Sequence, residues 1–281
     1  MIESTTILGR TRKYGDTIVA FRRPAEPLKA LSTPIPDEDL KDVREEVDDL
    51  LKIRFANSMG RRGRASYLIQ RRYAWRGYST PPLEGDPSVQ VTLSAFEKEH
   101  TVATMTVGLD SPQGMYVAGL FGDEVAKIRD EGKRLCEFTK LAVAETVRSN
   151  PVLGAIFHIA CIYAINIHQC TDVLVEVNPR HVNFYRRMLG FTKVGVERLD
   201  PRVDAPAVLL RLDLQHCAKE IARLGGRRDM GRVERSFYPY FFPPQEAVNI
   251  EQRLRDWFAG FIMLGVIFQH FRPGGPHLVH L

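Results

Sequence analysis

The stretch that decides the fold is Asn178–Phe191, NPRHVNFYRRMLGF. A short apolar run, Val173 to Val177, precedes it and has the length of a buried strand. Asn178-Pro179 then turns the chain: asparagine caps helix starts, and proline is tolerated where an N–H would lack a partner anyway. The segment that follows is rich in hydrogen-bonding groups and carries an aromatic pair, Phe184-Tyr185. Gly190-Phe191 ends it, because glycine takes the left-handed conformation that closes a helix. The stretch therefore reads as strand, tight turn, short helix and abrupt stop.

Working outward, the 281 residues suffice for one large domain or a domain with extensions. A chain with 44% hydrophobic and 26% charged residues can bury a full core. The net charge of +5 is concentrated in clusters: Arg61, Arg62 and Arg64; Arg71, Arg72 and Arg76; Arg186 with Arg187. Such patches suit an acidic partner, including an acidic carrier protein. Basic and aromatic residues do not interleave as a single-strand groove requires, so nucleic acid is not expected. Cys136, Cys161, Cys170 and Cys217 show neither C-x-x-C spacing nor a zinc pattern, and read as reduced, buried thiols of a cytoplasmic protein. The eight histidines form no metal constellation, so no metal is expected. No basic segment followed by an apolar run opens the chain, so no secretory signal is expected. Trp257–Phe268 is apolar but too short to span a bilayer, and the default reading packs it on its own chain, with membrane contact a minor alternative.

Along the chain, residues 1 to about 35 are punctuated by Pro24, Pro27, Pro34 and Pro36 and read as an arm or loose strand. Asp37-Glu38-Asp39 opens a helix to about Asp49. Leu50–Ala56 reads as a first strand, and Ser66–Trp75 as an amphipathic helix. Val89–Phe96 and Thr101–Leu109 pair, and Tyr116–Arg129 is a short helix. Leu135–Thr146 is a strand, Val152–His168 an apolar helix, Thr171–Val177 a strand. After the Asn178 helix, Phe191–Arg198 and Ala207–Leu214 close the sheet. Gly225–Arg235 reads as a linker or loop, Phe237–Phe242 (FYPYFF) is aromatic, and Gln245–Phe271 is a long helix. The expected fold class is α/β (α+β): a mixed, mostly antiparallel sheet with helices on both faces and a helical C-terminal appendix. The expected divisions are 1–49, an arm and helix; 50–217, the core; and 218–281, the extension.

The Asn178 helix resembles the fourth helix of the GNAT acyltransferase fold. Two further motifs, RRYAWRGY (Arg71–Tyr78) and EFTKLAV (Glu137–Val143), resemble one GNAT branch. That branch holds the FeeM-type N-acyl amino acid synthases and the related acyl-homoserine-lactone autoinducer synthases. The resemblance covers roughly residues 50 to 215. It implies an N-acyltransferase that moves a fatty acyl chain from the phosphopantetheine thioester of acyl carrier protein to the α-amine of an amino acid, with acyl-CoA as alternative donor and no permanently bound cofactor.

The chemistry explains the motif residues. An α-amine is largely protonated near neutral pH, and only its neutral form attacks a thioester. A carboxylate on the apolar central strand, Glu137, suits a base or amine anchor, since desolvation raises its pKa. The bland alternative is a carboxylate satisfied by a nearby arginine. Residues three apart on a flat strand face opposite ways, so Glu137 and Lys140 meet only if a bulge intervenes. Such a bulge is common in GNAT proteins, and Lys140 would then take the acceptor's carboxylate. No Ser or Cys is set in a nucleophile motif, so attack is expected to be direct. By resemblance Tyr185 protonates the departing thiolate, while Arg72, Trp75, Tyr78 and Thr139 join Lys140 on the acceptor side. Arg148, Asn178, Arg180 and Arg186 are then expected at the carrier and its pantetheine; each alone also suits ordinary solvated surface.

One departure concerns the donor. Many CoA-using GNAT proteins wrap the pyrophosphate in an R/Q-x-x-G-x-G/A loop. Here the segment is Arg148–Gly154, RSNPVLG, with one glycine and a proline that lacks an N–H. A carrier-bound donor has a single phosphodiester and suits that loop better. Three rivals stay open: an acyl-homoserine-lactone synthase, although residues 79–88 lack an F-D-x-x-D/E-like segment; a CoA-dependent N-acetyltransferase; and a non-catalytic acyl-binding protein.

Overall fold

A computed structural model describes residues 17–22, 50–74, 88–98, 100–145 and 150–270, together with Tyr78, Leu83 and Asp86, with side chains to residue 260. The helix expected over 37–49, Trp75 and Arg148 lie outside the described residues.

Eight strands are described: β1 (Thr17–Arg22), β2 (Leu50–Phe55), β3 (Gln90–Glu97), β4 (His100–Leu109), β5 (Leu135–Val143), β6 (Asp172–Val177), β7 (Thr192–Asp200) and β8 (Ala205–Asp213). They form one sheet in the order β1-β2-β3-β4-β5-β6-β8-β7. Every neighbouring pair is antiparallel except β5 and β6. The helices are α1 (Met59–Ala74), α2 (Ala118–Asp130), α3 (Asn150–Ile162), α4 (Val182–Leu189), α5 (Leu214–Leu224) and α6 (Pro244–His270). This is the expected mixed, mostly antiparallel GNAT-like sheet with helices on both faces.

Local chemistry accounts for most elements. In β2, LLKIRF, the side chains of Leu51, Ile53 and Phe55 are buried while Lys52 and Arg54 are half-buried, as one packed strand face requires. Asn178 caps the turn after β6 by accepting the Arg180 N–H at 3.2 Å. At the other end of α4, Gly190 has φ +85° and donates its N–H to Arg186 O. A Cβ there would meet His216 Nε2 at 2.8 Å, so the stop needs glycine for both conformation and space.

Several boundaries differ from the sequence reading. The strand at Leu50 is the second, because Thr17–Arg22 pairs with it; this run holds no proline, and the punctuation begins only at Pro24. The strand beginning at Leu135 ends at Val143 rather than Thr146. The helix expected from Val152 starts at Asn150, with Pro151 in its first turn, and widens to a π-type turn over Tyr163–Ile167. The expected linker contains a 3-10 turn at Arg228–Arg232.

The larger core lies on the face covered by α3, α4, α5 and the C-terminal extension. It joins Phe157, Tyr163, Leu189 and Phe191 to Phe237, Phe241, Ile250 and Leu254 of that extension. The Trp257 ring lies tilted with its centre 4.2 Å from that of Phe55, and Phe258 lies 5.4 Å from Tyr163, so the start of the apolar stretch packs on its own chain. Asn150–Ile167 is, among the described residues, the one helical stretch long and apolar enough to cross a membrane; 67% of it is buried in this core. On the opposite face, α2 covers Leu135, Leu174 and Leu209, and α1 covers Ala142.

Candidate active site

The parallel pairing of β5 and β6 is short: Leu135 with Asp172, Cys136 with Val173, and Glu137 with Leu174. Beyond Glu137 the two strands have no further pairing, although β5 continues to Val143 and β6 to Val177. The sheet therefore opens at Glu137, and the facing strand edges carry backbone groups without a strand partner. Just past the opening, β5 carries one extra residue: Thr106 pairs with Thr139 but Thr104 with Ala142. Lys140 takes up the excess with φ +52°, and its carbonyl accepts from Thr104 Oγ1 at 3.0 Å. This is the bulge that the Glu137–Lys140 spacing requires.

Glu137 is buried, 7% exposed, on the α2 face. Its side chain lies over Gly108 of β4, where a Cβ would meet Oε1 at 3.0 Å. Oε1 accepts the Tyr116 N–H at 2.9 Å and Oε2 the Val117 N–H at 3.0 Å, so the carboxylate also caps the start of α2. Burial pushes the carboxyl above its ordinary value; the two N–H donors and the Arg202 charge oppose that shift. Each oxygen keeps one lone pair for another partner.

Lys140 is half-buried, and among the described residues its ammonium has no hydrogen-bond or ion-pair partner. Burial lowers its pKa, and the Glu137 charge acts in the opposite direction. Thr139 is half-buried opposite Thr106, whose hydroxyl meets that of Thr92 at 2.8 Å. Tyr185, 9% exposed, packs edge-on against Phe157 and Phe191. Burial, assisted by the Tyr73 hydroxyl, raises its pKa and keeps it protonated. Tyr78 lies edge-on 6.3 Å from Tyr73.

Other expected site residues are committed elsewhere. Arg72 pairs with Glu145 at 2.5 Å. Asn178 holds the Arg180 Nε at 2.8 Å and donates to Pro206 O at 3.2 Å, so its side chain braces the turn. Arg186 is exposed in the last turn of α4. Among the described residues no group of three His, Cys, Asp or Glu side chains is placed to hold a metal ion.

Four residues near the opening escaped the sequence reading. Arg202, in the β7–β8 turn, grips both oxygens of Glu176 at 2.6 and 2.7 Å and Asp200 at 2.7 Å. It also donates to Tyr116 O at 3.0 Å and lies 3.9 Å above that ring. The available signal was a lone acid, Glu176, in the otherwise apolar end of a buried strand, VLVEV.

Comparison with known proteins converges on one family. The family profile for the N-acyl amino acid synthase FeeM matches residues 64–213, more than half of the chain. Among solved structures, FeeM itself, an N-acyl amino acid synthase from uncultured soil microbes, is 26% identical with a TM-score of 0.53, over 60% of this chain and 94% of that one. An acyl-CoA N-acyltransferase from Pseudomonas aeruginosa aligns at 15% identity and TM-score 0.41, over 57% and 97% of the two chains. The CoA-dependent acyl-homoserine lactone synthase BjaI aligns at 14% and 0.42, over 58% and 78%. These two likenesses carry no argument about activity. No curated protein matches the chain. With the opened sheet, the bulged central strand and the matched span in agreement, the chain belongs to the FeeM family of N-acyl amino acid synthases and is an N-acyltransferase.

Proposed function

We propose that this N-acyltransferase moves a fatty acyl chain from acyl carrier protein to the α-amine of an amino acid. The observation that carries the reading is the half-buried ammonium of Lys140, without a hydrogen-bond or ion-pair partner among the described residues and displayed on a positive-φ bulge beside Glu137 where β5 and β6 part. A cation placed there suits the acceptor's carboxylate, while Glu137 suits its ammonium. Together they select a zwitterion.

The step follows from that placement. Glu137 takes a proton from the bound ammonium, directly or through one water. The neutral nitrogen then attacks the thioester carbonyl; the carbon–nitrogen bond forms, the carbon–sulfur bond breaks, the electron pair leaves on sulfur, and the nitrogen sheds its second proton, which balances the one that sulfur gains. Unpaired N–H groups along the β5 edge suit the transient oxyanion. Tyr185, kept protonated by burial, supplies the proton to the thiolate.

Two observations favour a carrier-bound donor over CoA. Gly154, the one glycine of the expected phosphate loop, serves packing: a Cβ there would meet Tyr240 Cβ at 2.8 Å. Arg186 and Arg187 stand exposed on α4, with no ion pair among the described residues, and suit an acidic carrier surface. In this reading residues 50–217 form the catalytic core, flanked by an arm (1–49) and an extension (218–281). The four cysteines are free and buried, as suits a reducing cytoplasm.

The experiment offers the purified protein acylated carrier protein and acyl-CoA in parallel, each with pooled amino acids, and identifies amides by mass spectrometry. An N-acyl amino acid formed from the carrier donor is expected. Consumption of acyl-CoA alone would overturn the donor assignment, and products other than amino-acid amides the acceptor.

A further inference from the structure

An amino acid's ammonium loses two protons in becoming an amide N–H: one before attack, one as the tetrahedral adduct collapses. Glu137 accepts the first, and sulfur gains one from Tyr185. A second carboxylate near the same nitrogen would relay the remaining proton, which balances the one that Tyr185 gives up.

Glu176 is placed for it. It lies on β6 two residues beyond Leu174, the last partner of β5 and the residue opposite Glu137. Strand alternation puts Glu176, Leu174 and Glu137 on one face. Because β5 and β6 part beyond Leu174, Glu176 stands across the opening from Glu137. Both are fastened to the same turn. The Tyr116 and Val117 N–H groups hold Glu137, and the Tyr116 carbonyl and ring hold Arg202, which grips Glu176. Tyr116 itself is 49% exposed, so the turn reaches the surface at this point.

A bidentate arginine alone would keep Glu176 ionised. Asp200 changes that, because it shares the same guanidinium and sets a second carboxylate beside Glu176. Burial first, then Asp200, push Glu176 up to about 7 against the pull of Arg202. Asp200 is driven below its ordinary value: burial raises it, but the bonds from Arg202 and Glu176 prevail. The two glutamates flanking the opening thus differ in environment, one held by two N–H donors and one set beside a second carboxylate on a shared guanidinium, which is how a site divides proton roles.

We propose that Glu176 is a second catalytic carboxylate, taking the proton that the acceptor nitrogen releases as the amide forms, with Asp200 and Arg202 as its positioning residues. The inference rests on the amino-acid acyl transfer proposed above. As the nitrogen lone pair closes the carbon–nitrogen bond, the carbon–sulfur pair leaves on sulfur, and the remaining excess proton passes from nitrogen to a Glu176 oxygen. After product leaves, Tyr185 regains through solvent the proton it gave to sulfur, and the one net proton of the reaction is released.

The test measures kcat against pH for wild type, Glu176→Gln and Asp200→Asn, with carrier protein loaded with saturated chains of graded length and pooled amino acids as acceptor. Thermal melting is followed alongside. Glu176→Gln is expected to lose about 100-fold in kcat while still binding acylated carrier protein. Asp200→Asn is expected to move the acidic limb of the kcat profile to lower pH, because removing the neighbouring negative charge eases ionisation of Glu176. A purely structural role would scale kcat without moving the limb. Should Glu176→Gln fail to fold, the limb position in Asp200→Asn decides. An active wild type with an unshifted limb and an undiminished Glu176→Gln overturns the role of Glu176 alone. A wild type that forms no amino-acid amide overturns the acceptor reading first, and this inference with it.

Discussion

Replacing Glu137 by glutamine separates catalysis from architecture, because the structure gives this residue two tasks. Its two oxygens accept the Tyr116 and Val117 N–H groups, at 2.9 and 3.0 Å, in a buried site. A glutamine amide keeps one acceptor oxygen and turns an NH2 toward the other N–H, so one buried donor loses its partner. That loss costs about 1–3 kcal/mol, which lowers the melting temperature by roughly 2–5 °C for a chain of this size. The catalytic loss is separate: removing the proton acceptor slows turnover by about 100- to 10,000-fold. Scanning calorimetry reads the first effect, mass-spectrometric amide formation the second, and titration with acylated carrier protein confirms that donor binding survives. A variant that melts several degrees lower yet keeps kcat within about threefold would refute the reasoning; Glu137 would then be a helix cap and nothing more.

Three other outcomes follow from the geometry. Lys140→Met preserves the strained positive-φ bulge but removes the unpaired charge, so KM for the amino acid should rise about tenfold with kcat little changed; an unchanged KM would remove the acceptor-carboxylate assignment. Tyr185→Phe keeps the packing against Phe157 and Phe191, so stability should stay within about 0.5 kcal/mol. Single-turnover thioester cleavage should slow about tenfold, less than for most general acids because a thiolate leaves readily; an unaltered rate excludes the tyrosine. His158, stacked between Phe241 and Phe242, accepts the Phe242 N–H at 2.9 Å, and burial pushes it down to about 3. The folded state therefore refuses a proton that the unfolded chain takes below about 6.5, and stability should fall by up to about 1.4 kcal/mol per pH unit from there toward pH 3. His158→Leu should flatten that slope in denaturant titrations, at the cost of an unpaired Phe242 N–H; an equally steep slope contradicts the assignment.

The strand–turn–helix of Val173–Phe191 was legible because its signals are local: Asn178 caps, Pro179 turns and Gly190 stops within one short window. The long C-terminal helix and the succession of strands and helices along the chain were legible for the same reason. The bulge at Lys140 was expected only through the family resemblance, not from the residues themselves. Lysine carries no preference for positive φ, and the conformation is imposed by β5 pairing with β4 on both sides of an extra residue. Nor do the partners of Glu137 appear near it in sequence, since they are backbone groups of a turn some 20 residues earlier that tertiary packing delivers. Arg72 looked available to an acceptor and is paired with Glu145, a contact between α1 and the segment after β5. Glu176 was visible as an acid in an apolar strand, but its significance depends on Asp200 at the end of β7 and Arg202 in the turn after it. Pairings set by long-range topology are what the sequence reading lacked.

The most direct measurement is a rapid-quench single turnover, with enzyme in excess over fatty acyl carrier protein and a 15N-labelled amino acid as acceptor. Labelled N-acyl amino acid should appear at the rate at which the thioester disappears, and the protein's intact mass should stay unchanged at every time point. Free fatty acid as the main product, or an acylated form of the protein preceding the amide, would contradict direct transfer to the amine at the parting of β5 and β6.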